Sequence, residues 1–256
     1  MRTVIALLAL SLAAVAANAG VVIHMATKSL PDGKQSDHTV YYAQGGFLRI
    51  DSLDERGHVT SIDLIRDGVI WQMDVQKRTY EKFDKAHVQS QMQVRDEQLN
   101  AMLAKLPPEQ RAVMEQRMKK LREPRMDVAW SDTGRNERSG SYSCRIWEEK
   151  HTGKLRGEYC VVATGNLPGG DELAASLNNA YAAAKDALSG NPLAAKVLQN
   201  YASFNAMSGF PVLHREIEGG KPYEEDLMTS IERQSLPADK FAIPKGFTEK
   251  QAGDDD

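Results

Sequence analysis

The chain has 256 residues, and its 32 Lys and Arg against 35 Asp and Glu give a formal net charge of −3. This balance argues against a nucleic-acid partner, because such partners are usually bound by a basic protein surface. The length fits one large domain or two small ones, and the two cysteines allow a single disulfide.

The N-terminus has the three parts of a secretory signal peptide. Arg2 provides the positive charge, residues 4–16 are apolar, and Ala17-Asn18-Ala19 is a small-residue cleavage pattern, so cleavage is expected after Ala19. The apolar run is shorter than the roughly 20 residues that a transmembrane helix needs, and no later stretch is longer. Residue 20 is Gly rather than Cys, which excludes a lipid anchor at this site. We therefore expect a periplasmic or secreted protein.

After the signal peptide the chain alternates and turns like an antiparallel meander. Strands are predicted at residues 21–27, 38–44, 47–51, 61–66, 69–75 and 79–83. Asp67-Gly68 is a strong hairpin signal between two of them. Apolar residues recur with period two in that hairpin, which predicts a sheet with one packed face and one wet face.

Two helical insertions interrupt the strands. Residues 84–106 and 108–122 are predicted as helices with apolar stripes, separated by Pro107-Pro108. Asp171 is a candidate N-cap for a helix to residue 188, and Pro192 opens another helix to residue 207. Each insertion is therefore expected to be an amphipathic helix pair.

Both cysteines fall in one predicted β-hairpin within the strand block at residues 126–164. Cys144 and Cys160 are equidistant from Thr152, so a symmetric turn places them opposite each other. Directly opposed residues have Cβ atoms about 4.5–5.5 Å apart, close to disulfide reach. We predict a disulfide there, which suits an exported protein.

Further strands at residues 211–218 and 223–234, a docked segment at 241–247 and a disordered acidic tail at 249–256 complete the expected organisation. Blocks of strands separated by helices indicate an α+β domain. We expect one domain at residues 20–248, in which a strongly curved antiparallel sheet of about ten strands forms a half-barrel. The two helix pairs, at about 84–122 and 171–207, are expected on its concave face.

No catalytic residue, metal site or cofactor is predicted. The histidines are scattered, and the pair His24 and His38 on neighbouring predicted strands lacks a third ligand. GxSxG and glycine-rich phosphate motifs are absent, and cysteines joined in a disulfide leave no Cys–His nucleophile.

The aromatic residues in predicted strands are the best candidates for a binding site. Trp71, Trp130 and Trp147, together with Met73, are candidate lining residues for an apolar pocket in the curved sheet. Burial of the same rings in an ordinary core is the alternative, because tryptophan is common there too.

The order of several short motifs resembles a bacterial exported family, domain of unknown function 4412 (DUF4412). These motifs are GFLRID at 46–51, IWQMD at 70–74 with the following Tyr80, LPPEQR at 106–111, the cysteine hairpin and IPKGF at 243–247. The resemblance implies a LolA/LolB-like half-barrel, an architecture that carries lipoproteins across the periplasm. It implies no catalytic residue.

These observations favour a non-enzymatic periplasmic protein that holds a lipid, or a lipidated or peptide segment, in the half-barrel. A chaperone-like or protein-interaction module that acts on an envelope protein through the helices of residues 84–122 is the alternative. A metal-dependent enzyme is a third hypothesis.

Overall fold

The computed structural model describes residues 19–122, 128–189 and 207–250. The strands in chain order are β1 (Gly20–Ser29), β2 (Gln35–Gln44), β3 (Phe47–Leu53), β4 (Val59–Arg66), β5 (Val69–Asp74), β6 (Thr79–Phe83), β7 (Val128–Ser139), β8 (Tyr142–His151), β9 (Lys154–Val162), β10 (Phe210–Glu218), β11 (Lys221–Gln234) and β12 (Thr248–Glu249). The α-helices are α1 (Lys85–Ala104), α2 (Pro108–Arg122) and α3 (Gly170–Ala187), and Thr164–Asn166 and Ala238–Phe241 form short 3-10 turns. The described residues do not include residues 1–18 of the predicted signal peptide, most of the predicted helix at 192–207, or residues 251–256 of the predicted tail.

The twelve strands form one open sheet in the order β12-β6-β5-β4-β3-β2-β1-β11-β10-β9-β8-β7. Neighbouring strands are antiparallel except β12, which pairs with β6 in parallel. The α+β class and the mostly antiparallel sheet are therefore confirmed. The strand count exceeds the expected ten, partly because the two-residue β12 carries no alternation to predict it. The predicted tail boundary is wrong by two residues, since Glu249 lies in β12 and the Lys250 amide donates to the Tyr80 carbonyl.

Both faces of the half of the sheet formed by β1–β6 are packed. The expectation of one solvent-exposed face is therefore wrong for this half. Val21, Val22 and Ile23 in the central strand are consecutively buried. Such a continuous apolar run is typical of a strand covered on both sides. The first face joins a core with α3, and the second face joins a separate core with residues 236–247, here called the C-terminal segment.

Helix α3 covers the first face and contacts β1 to β5. Its Leu173, Ala180 and Ala184 are fully buried, because small side chains let the helix approach the sheet closely. The predicted N-cap Asp171 is wrong, since Gly169 occupies the cap position with φ of +69°. A Cβ at Gly169 would overlap a methyl of Val21, which explains the glycine.

The C-terminal segment covers the second face through a buried ionic network. The Arg49 guanidinium donates to both Asp51 oxygens, at 2.6 and 3.2 Å, and to the Lys240 carbonyl at 3.0 Å. Lys240 Nζ lies 3.3 Å from Asp51 and 3.6 Å from the Tyr42 ring centroid. Packing of Phe241 in this core confirms that the segment docks. A charge pair joins it to the sheet beneath an otherwise apolar layer.

Helices α1 and α2 form a helical hairpin, residues 85–122, beside β6 and α3. Asp84 caps α1 by accepting the His87 amide at 2.8 Å. Arg111 of α2 donates to the Leu103 carbonyl at 3.0 Å and so holds the end of α1. The described contacts of this hairpin run to β6 and α3 at the side of the sheet, and α3 is the helix that lies across it.

The disulfide between Cys144 and Cys160 is confirmed, with a Cα–Cα distance of 5.2 Å. Its register differs from the expectation, because Cys160 is opposite Ile146 rather than Cys144. A two-residue turn begins at Thr152, and a register irregularity follows Glu149. The cysteines are therefore diagonal neighbours on one buried face, two residues out of direct opposition.

Candidate functional site

The helical hairpin exposes most of the large apolar side chains that face solvent. Within the described residues, the exposed large hydrophobic side chains are Val94, Met102, Val113, Tyr223 and Leu227. Three of the five belong to the hairpin, and Val113 is the most exposed at 67%. Val113 also lines a groove with Leu106 and Met114, and contiguous apolar exposure of this kind commonly marks an interaction surface.

A groove of about 490 Å³ runs along α2 at the corner of the hairpin. Its apolar lining is Leu106, Val113 and Met114, while Glu109, Gln110 and Arg117 lie beside them. Spacings of three and four residues place Gln110, Val113, Met114 and Arg117 on one side of α2, and Leu106 lies just before the helix. None of the α2 side chains described, at residues 108–117, is buried. The described part of the apolar stripe predicted for α2, Val113 and Met114, therefore faces outward.

A larger cavity, about 840 Å³, lies at the side of the sheet formed by β4, β5 and β6. Its lining includes Met73 together with Asp63, Gln72 and Glu81. Burial raises the pKa of Asp63, although the hydrogen bond with Gln72 opposes that shift. Gln91 of α1 donates to Glu81 at 3.0 Å, so the hairpin reaches the border of this edge cavity.

The four predicted lining residues are divided between two parts of the sheet. Trp71 and Met73 lie on β5 in the core beneath the C-terminal segment, and Met73 also borders the edge cavity. Trp130 on β7 packs edge-on against Tyr159 at 5.0 Å, and Trp147 lies on the adjacent β8. Seven strands separate β5 from β8 in the sheet order. The described contacts do not bring the four into one site.

An aromatic–carboxylate row crosses β9, β10, β11 and β1. Tyr159 stacks on His214 at 4.1 Å, His214 Nδ1 lies 3.1 Å from Asp226, and Asp226 accepts the Thr27 hydroxyl at 2.6 Å. Tyr159 also donates to Glu149 at 2.7 Å. Burial, reinforced by the charge of Glu149, raises the pKa of Tyr159 far above its usual value.

Sequence reasoning missed this row because its members come from strands that are distant in the chain. Gly157 is the one local signal, since a Cβ there would lie 3.0–3.3 Å from Tyr159, His214 and Glu149. None of these ring and carboxylate groups lines the cavities described above. These side chains use one another as hydrogen-bond and stacking partners. The row is therefore a structural network that joins neighbouring strands of the sheet.

Replacing Asp226 with Asn is expected to remove a pH-dependent part of the stability. Burial would raise the pKa of Asp226, but hydrogen bonds from His214 and Thr27 outweigh it and lower the pKa below the usual 3.8. The stabilisation is therefore present above about pH 4 and is lost as pH falls through the lowered pKa. Denaturant unfolding between pH 3 and 7 should show a wild-type advantage that shrinks on acidification.

Asp67→Asn is the matched control for this prediction, because Asp67 is an exposed turn residue with φ of 54° that asparagine also adopts. Its stability difference from wild type should be small and nearly constant with pH. A constant Asp226→Asn deficit over the same range contradicts the assigned ionisation.

The described residues contain no group of three or more His, Cys, Asp or Glu placed to hold a metal ion. His38 lies opposite Ala26, and His24 opposite Val40, so the two histidines are out of register. In the same part of the chain, no helix is long and apolar enough to cross a membrane.

Comparison with known proteins gives a family and distant structural likenesses. The family described as "Domain of unknown function (DUF4412)" matches residues 58–247. No curated protein matches. An uncharacterized conserved protein from Thermus thermophilus is similar at 7% identity and a TM-score of 0.41, with 90% of this chain and 89% of that chain covered.

Two crystal forms of PNGF-II are also similar. The C2 form has 12% identity and a TM-score of 0.43, and the P21 form has 10% and 0.42. Each covers 91% of this chain, which spans only 31% and 32% of the respective PNGF-II chains. At these scores the likenesses support no functional inference.

Proposed function

Because the chain belongs to the DUF4412 family, whose description names no activity, we propose from its geometry that it is a non-enzymatic binding protein for an apolar chain. The ligand is the acyl part of a lipid or of a lipidated segment. The proposal rests on the apolar side chains that the helical hairpin exposes. Val113, at 67%, is the most exposed of them and lines the α2 groove.

Two features of the structure support this location. Helix α3 and the C-terminal segment already occupy the two faces of the β1–β6 half, and Trp71 and Met73 contribute to the core beneath the segment. The α2 groove of about 490 Å³ is large enough for part of an acyl chain, within the roughly 300–1,000 Å³ of ordinary ligand sites. The edge cavity beside α1 could continue it, although carboxylates make that cavity more polar.

The proposal includes half-barrel curvature of the sheet and action outside the cytoplasm. The predicted signal peptide supports export. Gly20, the first residue after the predicted cleavage site, lies in β1, where a Cβ would stand only 2.8 Å from atoms of Ala43, Gln44 and Leu236. Such crowding explains the glycine at the first position of β1.

Val113→Asp should weaken binding of a fluorescent fatty acid about tenfold or more. Burial of a valine side chain contributes about 1.5 kcal/mol, and about 1.4 kcal/mol corresponds to a tenfold change. Because Val113 is exposed, the variant should fold normally, which circular dichroism and thermal unfolding can verify. Fluorescence titration measures the binding.

Leu227→Asp is the matched control, since Leu227 is exposed at 40% but lies on β11. It should bind the fatty acid like wild type. Equal binding by Val113→Asp and wild type contradicts the proposed location, and no binding by wild type contradicts the function.

A chaperone-like role is the second candidate, and the exposure of Met102 and Val113 favours it through the same surface. In this case Val113→Asp would reduce suppression of aggregation of an unfolded client protein. Wild type would then fail to bind the fatty acid. The two assays therefore separate the candidates.

A further inference from the structure

Positive charge is concentrated in the helical hairpin. Residues 85–122 contain eight Lys and Arg against four Asp and Glu, a net charge of +4. Since the whole chain carries −3, the remainder carries −7. The segment with the outward apolar stripe is thus the basic part of an otherwise acidic protein.

Charge and apolar exposure occur on the same helices. Arg95 and Lys105 of the α1 side and Arg117 of α2 are all exposed, and Arg117 lines the groove with Val113. Arg111 has another role, because its guanidinium is held by the carbonyls at the end of α1. That clamp joins α2 to the end of α1, while Arg95, Lys105 and Arg117 are exposed on the surface of the hairpin.

A basic helix with large apolar side chains is typical of a segment that lies in a membrane interface. Anionic headgroups attract the Lys and Arg, while the apolar side chains enter the boundary between headgroups and acyl chains. The acidic remainder would be repelled by the same surface. This repulsion orients the protein with its hairpin toward the lipid.

We propose that the helical hairpin docks on the surface of an anionic phospholipid bilayer, with Val113 and Met114 entering the interface and Lys105 and Arg117 facing lipid phosphates. This inference rests on the proposed function, to which it adds the source of the apolar ligand. The groove along α2 then opens directly onto the acyl chains that it takes up.

Vesicle co-sedimentation of the chain from Gly20 onward tests the docking. The vesicles contain either equal parts of phosphatidylglycerol and phosphatidylcholine or phosphatidylcholine alone. At about 50 mM salt the protein should bind the anionic vesicles at least tenfold more tightly than the neutral ones. Raising the salt to about 500 mM should remove most of that preference, because exposed charges are then screened.

The double variant Lys105→Glu with Arg117→Glu should reduce anionic binding by tenfold or more. Its control is Lys154→Glu with Arg156→Glu, the same change of charge at exposed positions of the β8–β9 hairpin. The control should bind like wild type, and circular dichroism should show both variants folded. Equal losses in the two variants overturn the proposal, since they would reflect net charge alone.

Fatty-acid binding without vesicles separates this inference from the function on which it rests. Retained fatty-acid binding with equal affinity for neutral and anionic vesicles overturns only the membrane docking. If the wild-type protein binds neither the fatty acid nor the anionic vesicles, both the proposed function and the membrane docking are overturned. Suppression of client aggregation without vesicle binding assigns the surface to a protein instead, which also overturns the docking.

Discussion

Arg49→Ala is expected to lower the free energy of unfolding by about 3–5 kcal/mol, the usual cost of removing one partner from a buried ion pair. Asp51 is only 2% exposed, and Arg49 provides two of its hydrogen bonds. Among the residues that the structure describes, Lys240 at 3.3 Å would remain as the only charged partner of Asp51. Loss of the Arg49 bond to the Lys240 carbonyl should also loosen the C-terminal segment. Urea unfolding at pH 7 measures the change.

Arg145→Ala provides the matched control for Arg49→Ala. Arg145 also pairs with an aspartate, Asp132 at 2.8 Å, but its side chain is 58% exposed. Exposed pairs contribute about 0–1 kcal/mol, so the control should unfold almost like wild type. Comparable small losses in both variants would show that the buried pair contributes little.

A second variant shows whether the stability lost in Arg49→Ala comes from leaving the buried Asp51 charge unpaired or from lost packing. In Arg49→Met with Asp51→Leu, both charges are replaced by apolar side chains of similar size. Such replacement of a buried pair is often neutral or stabilising. The double variant should therefore recover much of the stability that Arg49→Ala loses. A double variant at least as unstable as the single one contradicts this explanation.

The strands and turns of this fold are largely encoded in local sequence. Asp67-Gly68 predicts its hairpin because both residues adopt positive φ, 54° and 77°, as a two-residue turn requires. The prolines at 107 and 108 likewise separate α1 from α2. These signals depend on a few neighbouring residues, so they can be recognised without any tertiary information.

It was harder to predict which faces of the strands and helices are covered and which residues make long-range contacts. Met73 and Trp71 alternate as a one-sided strand does, yet the covering C-terminal segment lies more than 160 residues later in the chain. The stacking of Tyr159 on His214 depends on the pairing of β9 with β10, which no local pattern specifies. Outward exposure of Val113 also could not be predicted, because its stripe resembles one that packs on a sheet.

The residues predicted from aromatic content lie in two separate parts of the sheet for a related physical reason. Trp130 finds its partner in Tyr159 of the same strand block, while Trp71 lies 5.5 Å from the Arg66 guanidinium. Large rings bury well wherever apolar area is available, so their presence in strands does not distinguish a cavity from a core. Exposure of smaller apolar residues on α2 is the more informative signal, and it requires the structure.

Replacing Cys144 and Cys160 together with Ser is expected to lower the free energy of unfolding by about 3 kcal/mol. The bridge joins residues 16 apart in sequence. Loop-closure entropy for about 15 residues corresponds to roughly 3 kcal/mol in the chain-entropy model. For a domain of this size, each kcal/mol shifts the melting temperature by about 2–4 °C. A decrease of about 6–12 °C in the thermal unfolding midpoint is therefore expected.

Because of the position of the disulfide, the serine variant tests whether the bridge belongs to the binding site as well as how much it stabilises the fold. Cys144 and Cys160 are 4% and 1% exposed, and they join β8 to β9 far from β6 and the helical hairpin in the sheet order. The serine variant should therefore bind the fluorescent fatty acid like wild type at a temperature where both are folded. Reduction of the wild-type protein serves as the control and should cause a similar loss of stability. Lost binding with an unchanged unfolding midpoint would instead assign the cysteines to the functional site.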